Sequence, residues 1–213
     1  MSLQRLLHIA YVMYGLRRVQ LMYQANEDHN LYSFDMRKLD RATCIHQDHV
    51  YAVMSVDYAP TGKEFVSGSY DRTVRIFGST DGHSREVYHT KRMQRVFAVK
   101  FTLDNKYVLS GSDDFNVRIW KARAAERIGV VLPRERTKLN YVEKLKERFK
   151  HAPEIRRIAR HRHVPSNILS AKKLKHEIKQ AKAEKLRRVK AHSKPGAVPN
   201  VAEREKVVTK QYQ

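Results

Sequence analysis

The sequence predicts an all-β propeller fragment, two full blades plus the end of a third, followed by a basic α-helical tail. Three observations carry this. A stretch of the chain recurs after 43 residues without a gap, and a period of 40 to 45 is that of a four-stranded propeller blade. Inside each copy, apolar residues alternate in short β-rich runs separated by turn chemistry. The charge is also split. Residues 1–120 hold 16 Lys/Arg against 13 Asp/Glu, whereas residues 121–213 hold 27 against 9, so the tail carries +18 of a net +21 over 213 residues. The expected organisation is a non-matching leader at 1–20, a partial propeller at 21–132 and a basic helical domain at 133–213.

The leader, MSLQRLLHIAYVMYGLRRVQ, has an apolar stretch from Leu6 to Leu16 that contains His8 and stops at Arg17 and Arg18. No small-residue cleavage pair follows, so it reads as a short helix or an unpaired leader rather than a targeting signal. The repeat proper aligns HVYAVMSVDYAPTGKEFVSGSYDRTVRIF, from His49, with RMQRVFAVKFTLDNKYVLSGSDDFNVRIW, from Arg92, and ten of 29 positions are identical. One period before Asp71 lies Asp28, with Leu31 and Phe34 under Val74 and Phe77, so a third unit ends there. Each unit supplies three strands, with corners at Pro60-Thr61-Gly62, Asp104-Asn105, Asp71-Arg72 and Asp114-Phe115. HSREVYH, His83 to His89, supplies a fourth, and AERIGVVL, Ala125 to Leu132, is expected to complete the last blade before Pro133. Two blades and a remnant do not close a ring, so exposed sheet edges and apolar faces, and a tendency to associate, are expected.

His49, Ser67 and Asp71 include the residue types of a hydrolase triad. The same Ser and Asp recur one period later as Ser110 and Asp114 without a His, and there is no nucleophile elbow, so these residues read as a polar network within a sheet. No catalytic set is expected. The lone Cys44 rules out an intrachain disulfide and a thiolate zinc site, and no apolar run approaches the roughly 20 residues of a membrane span.

After Trp120 the composition turns to Lys, Arg, Glu, Ala and Leu, with no Asp. TKLNYVEKLKERFK places Leu139, Val142, Leu145 and Phe149 on one helical stripe. Pro153 opens a second helix, EIRRIARHRH, ending near Val164-Pro165, and a long helix spans about Asn167 to Ala191 before SKPGAVP breaks it. These helices hold too few apolar residues for a core of their own. Arg156, Arg157, Arg160, His161, Arg162 and His163 form the densest cationic cluster and are the expected RNA contacts, since arginine suits bidentate phosphate binding and stacking on bases. The lysine-rich stretch from Lys172 to Lys190 suits a solvated helix, phosphate contact or nuclear import. His151, His161, His163 and His176 lack the convergent partners of a zinc site, so no metal is expected, nor any cofactor.

Blades carrying VSGSYDRTVRIF and VLSGSDDFNVRIW resemble WD repeats. In that family a His, Ser, Asp and Trp tie a blade's strands together; the matching positions are His49, Ser67, Asp71 and Phe77, then Arg92, Ser110, Asp114 and Trp120. Followed by IGVVLPRERTKLNYVEKLKERFKHAPEIRRIARHRHVP and HSKPGAVP, these blades resemble the SOF-type WD-repeat proteins of the small-subunit processome, over about Met22 to Val208. The resemblance implies a non-enzymatic nucleolar scaffold partnered by pre-ribosomal RNA and processome proteins, with no membrane or small-molecule substrate. It also implies a second role as substrate receptor of a cullin-RING ubiquitin ligase. Of the Trp-Asp-x-Arg motif such receptors often carry, Trp120-Lys121-Ala122-Arg123 keeps the Trp and Arg but not the Asp.

Overall fold

A computed structural model describes residues 9–10, 21–25, 28–35, 37–127 and 129–198. Eleven strands among them form three antiparallel sheets: β1 (Ile9–Ala10), β2 (Leu21–Ala25), β3 (Asn30–Asp35) and β4 (Lys38–Gln47); β5 (Val53–Tyr58), β6 (Glu64–Ser69), β7 (Val74–Gly78) and β8 (Ser84–Tyr88); and β9 (Val96–Phe101), β10 (Tyr107–Ser112) and β11 (Val117–Lys121). Each sheet is a meander in which sequence neighbours pair, for example Val66↔Ile76 across β6 and β7 and Leu109↔Ile119 across β10 and β11. These are WD-type blades followed by a helical region, the fold class expected. The fourth strand expected near His83–His89 is β8.

Two differences follow from local chemistry. Within the segment read as a leader, Ile9 and Ala10 pair with Gln24 and Tyr23, adding a strand to the first sheet. Two residues of pairing leave no legible alternation; the helical reading of the remaining leader lies outside the described residues. The strand expected at Ala125–Leu132 does not form at 125–127 or 129–132. A turn closes there from the Glu126 amide to the Arg123 carbonyl, and Gly129 takes a left-handed φ of 110°, both incompatible with a ladder.

The sheets stack through two cores. Leu31 of the first packs with Val53, Val56, Tyr58, Phe65 and Phe77 of the second. Val66, Val74 and Ile76 of the second are sealed by Val96, Val99, Phe101 and Val108 of the third and by Met93 in the turn before it. The contact is close. A Cβ on Gly68 would meet Val96 Cγ1 at 2.7 Å and Val99 Cγ1 at 2.9 Å. Polar groups stitch the same seam, with the Phe101 amide donating to Asp57 Oδ2 at 2.7 Å and the Val99 amide to Ser55 Oγ at 3.3 Å. One period on, the equivalent face of the third sheet is open: Val117 is 71% exposed and Ile119 67%.

Among the described residues three helices follow: α1 (Pro133–Arg148), α2 (Pro153–Arg160) and α3 (Ser166–Ala191). Proline stands in the first turn of both α1 and α2, where its missing N–H costs nothing. The described chain divides into two compact units, one of the blades with residues from Val164 onward, the other of Arg123–His163. In the first unit, the start of α3 docks on the blades. Ile168 is buried, Lys172 Nζ lies 2.7 Å from Asp48 Oδ1, and Lys175 Nζ donates to the Val50 carbonyl at 3.0 Å. Further along α3, Leu174, Ile178 and Leu186 are exposed.

Candidate RNA-contacting tail and the blade network

In the second sheet the expected polar residues converge. His49 Nδ1 donates to Asp71 Oδ2 at 2.8 Å. With a carboxylate on Nδ1, that nitrogen carries the proton, and Nε2 accepts from the Ser67 hydroxyl at 2.7 Å. Asp71 further accepts from the Thr73 amide at 2.9 Å and hydroxyl at 2.5 Å. Burial alone would raise the Asp71 carboxyl, but its electrostatic attraction to and hydrogen bond with the His49 N–H, the charge of Arg75 and the Thr73 hydroxyl outweigh it and hold the group at about 2. This is the hydrogen-bond order of a serine hydrolase, yet Ser67 is 0% exposed, so no substrate carbonyl can reach its Oγ. The arrangement ties the corner after β6 to the loop before β5. Phe77 adds no donor; it stacks on Phe65 at 5.2 Å and closes over His46 and His49.

The third sheet builds its tie differently. Trp120 Nε1 donates to Ser110 Oγ at 2.8 Å. Arg92, at the position His49 holds one period earlier, is exposed, and Asp114 takes a fork of two bonds from Arg118 instead. That hydrogen bonding draws the Asp114 carboxyl far below the ordinary carboxylate range.

Asp48 carries no repeat signal, since one period on stands Lys91, yet it is the junction of the first unit. Its Oδ2 accepts from the Ser84 amide and hydroxyl, both at 2.7 Å, with Arg75 Nη1 at 3.7 Å, while Oδ1 faces Lys172 and His83. Burial opposes ionisation, but the His83 hydrogen bond and the Lys172 and Arg75 charges drive the carboxyl well below its usual range. The Lys172 contact spans 124 residues of sequence and has no local signature.

The cationic cluster lies in the second unit, and the structure divides it. α2 ends at Arg160, not near Val164, because His161 leaves the helix at ψ 130°. At 100° per residue, Arg156, Arg160 and Arg157 share an arc of roughly 100°, with Ile155, Ile158 and Ala159 on the opposite side. All three guanidinium groups are exposed, as are His161 and His163. Arg162 folds back, donating to the Ala159 and His161 carbonyls at 2.6 and 2.8 Å, so it caps α2 rather than extending the arginine arc. Ile158 is 71% exposed on the side opposite the arc, and Leu139 and Leu145 of α1 and Phe149 at its end are also uncovered. Such a helix presents charge for phosphates along one side and an apolar strip along the other.

Antiparallel blades recurring every 43 residues, tied at the corner by His, Asp and Ser and extended by basic helices, define a WD-repeat protein with a helical appendix. Residues 42–78 and 79–121 match the WD domain, G-beta repeat, and residues 122–208 the Sof1-like domain. The chain belongs to the Sof1-like WD-repeat family. It is 55% identical over 186 residues to DDB1- and CUL4-associated factor 13 of Danio rerio, covering 87% of this chain and 42% of that protein. It is 53% identical over 186 residues to Protein SOF1 of Saccharomyces cerevisiae, covering 86% and 37% respectively. The human DDB1- and CUL4-associated factor 13 is 55% identical over 171 residues. The chain thus spans about two-fifths of the length of the curated relatives it matches.

Proposed function

We propose that this chain is a non-catalytic scaffold of ribosome biogenesis, acting in the nucleolus on the precursor of small-subunit ribosomal RNA. The blades at 21–132 supply the platform, and the basic part at 133–213 holds RNA and assembly proteins. The observation that carries this reading is the arginine arc of Arg156, Arg157 and Arg160 within a tail of +18, exposed and segregated from its apolar neighbours. Each phosphate contact releases counterions, so binding weakens steeply with salt. His161 and His163 flank the arc; Arg162 holds the end of the helix that displays it. The corner ties of His49, Ser67, Asp71, Ser110, Asp114 and Trp120 serve the platform and contact no ligand. No cofactor, metal or membrane enters this role.

A second reading is favoured by the name that several relatives bear, DDB1- and CUL4-associated factor 13. It makes the chain a substrate-receptor adaptor of a cullin-RING ubiquitin ligase, docked through its blades. One experiment separates the two. A tagged chain is crosslinked in cells and immunoprecipitated, its RNA is sequenced and its protein partners identified, beside a variant carrying R156E, R157E and R160E. Recovery of precursor small-subunit ribosomal RNA from the native chain, falling at least tenfold in the variant, is the expected outcome. Recovery of the ligase adaptor with no such RNA would replace the scaffold reading by the second one.

A further inference from the structure

The tail is not the only place where this chain presents cations beside flat apolar surface. Three residues outside glycine repeat a left-handed backbone at 43-residue intervals: His29 (φ 73°), Arg72 (φ 63°) and Phe115 (φ 59°), each just after the aspartate at its blade corner. A bulky side chain in this region is uncommon and strained, and glycine is the residue that removes the strain. Burial does not offset it at Phe115, whose ring is 99% exposed, nor at Arg72, which is also exposed. Backbone strain kept at a residue whose side chain is exposed is a pointer to a role outside the fold.

The neighbouring loops belong to the same blade end. Each corner is pinned to the loop entering its blade by an equivalent bond, Tyr70 amide to Ala52 carbonyl at 3.0 Å and Asp113 amide to Arg95 carbonyl at 2.9 Å. Tyr70 carries the Arg95 guanidinium 5.1 Å from its ring centroid and meets Phe97 edge-on at 5.8 Å. Tyr51, 53% exposed, is joined at its carbonyl to the Ser69 hydroxyl, one residue before Tyr70. Beside it, Lys175 of α3 reaches the Val50 carbonyl. Corner carboxylates are occupied internally, Asp71 by His49 and Thr73 and Asp114 by Arg118, while Asp113 is exposed.

We infer that the blade end formed by Tyr51, Tyr70, Arg72, Arg95, Phe97 and Phe115 is a second RNA-contacting surface, one that takes unpaired nucleotides. Rings able to stack on bases, interleaved with guanidinium groups able to take phosphates or stack themselves, are what a single strand needs and a duplex does not use. An acidic peptide would call on the cations but leave the rings without a task. The inference rests on the RNA reading of the tail, and its test separates the two.

The 213-residue chain is titrated against a fluorescent oligouridylate of about ten nucleotides and, separately, a duplex RNA of the same length. The blade variants are F115G with R72G, which keep the left-handed corners, and Y70L; the tail variant is R156E, R157E and R160E. The glycine pair is expected to keep or raise the urea midpoint, weaken oligouridylate at least about fivefold and leave duplex binding within about twofold. Ultraviolet crosslinks to oligouridylate are expected on peptides containing Tyr51, Tyr70, Phe97 or Phe115. If both blade variants bind the oligouridylate within twofold of native while the tail variant fails, this inference falls and the tail reading stands. If the blade variants fail and the tail variant does not, the reverse holds. Displacement of the oligouridylate by a polyglutamate peptide at lower concentration than by unlabelled oligouridylate would assign the surface to an acidic protein and overturn the proposal.

Discussion

Gly68 and Gly111 are the same residue of the repeat in two environments. At Gly68 the next sheet is in place, and an added methyl would overlap Val96 and Val99; at Gly111 the nearest atom to such a methyl is Ala98 Cβ at 3.8 Å. Both lie in strand interiors, where glycine weakens a strand, so the packing term decides the sign. Gly68→Ala is expected to destabilise by about 1–3 kcal/mol, as overpacking does. Gly111→Ala is expected to be neutral or stabilising by about 0.5 kcal/mol through the lost entropy of the unfolded chain. Urea titrations of the two variants check this; equal losses at both positions would mean that the face around Gly111 is covered in solution. The same periodic comparison explains why Val74 and Ile76 are buried while Val117 and Ile119, identical in sequence, are not.

At the scale of elements, the blades were legible because the physics that forms them is local and repeats. Alternation marks the strand faces, turn residues mark the corners, and ten identities at fixed spacing mark the unit. β1 was not legible, because two paired residues give no pattern, and the supposed strand before Pro133 failed because apolar β-branched residues there meet Gly129 in a left-handed conformation. In the candidate tail site, the helix and its three arginines followed from Pro153 and the charge run. The capping by Arg162 did not, since it depends on where α2 stops. Nor could the seat of α3 be read, because Lys172 meets Asp48, and Lys175 the Val50 carbonyl, across more than 120 residues of sequence. That seat is small: one buried isoleucine, one ion pair with a nearly buried carboxylate, and one lysine on a carbonyl. Removing one partner leaves Asp48 with a buried charge less well matched, so Lys172→Glu, which adds a second carboxylate, is expected to release the start of α3. Limited trypsin digestion reads this out. Cleavage after Lys173, Lys175, Lys179 or Lys182 should accelerate at least about threefold in the variant while blade peptides stay protected; unchanged cleavage would mean that Ile168 and Lys175 seat the helix without the ion pair.

Across the whole molecule, charge sets the conditions under which the blades hold. The chain carries +21 with its histidines neutral, and every proton taken up on acidification adds to that, so self-repulsion grows on the acid side. One histidine couples this directly to the core. His46 is 0% exposed, donates from Nδ1 to the Asp81 carbonyl at 2.5 Å and lies edge-on to Phe65 and Phe77. Burial pushes its pKa from 6.5 down to about 4, against the opposing pull of the Asp81 carbonyl. Between these two values the unfolded chain binds a proton at this residue and the folded one does not, so stability is full above about 6.5 and falls as pH drops towards 4. At 1.36 kcal/mol per decade the loss approaches roughly 3 kcal/mol. His83 has the opposite sign: its hydrogen bond to Asp48 raises its pKa, so its contribution is complete below 6.5 and is lost as pH rises through the raised value. Asp71, held near 2, adds its own loss below about 4, outside the window in which His46 acts. Urea midpoints of the native chain should therefore decline from pH 6.5 to pH 4.5, whereas His46→Gln, which keeps a donor for the Asp81 carbonyl but cannot titrate, should show a flatter profile over that interval even from a lower starting stability. Parallel profiles for the two proteins would assign the acid sensitivity to the self-repulsion of the basic tail instead, and added salt, which screens exposed charges but leaves a buried imidazole unaffected, would then restore the midpoint.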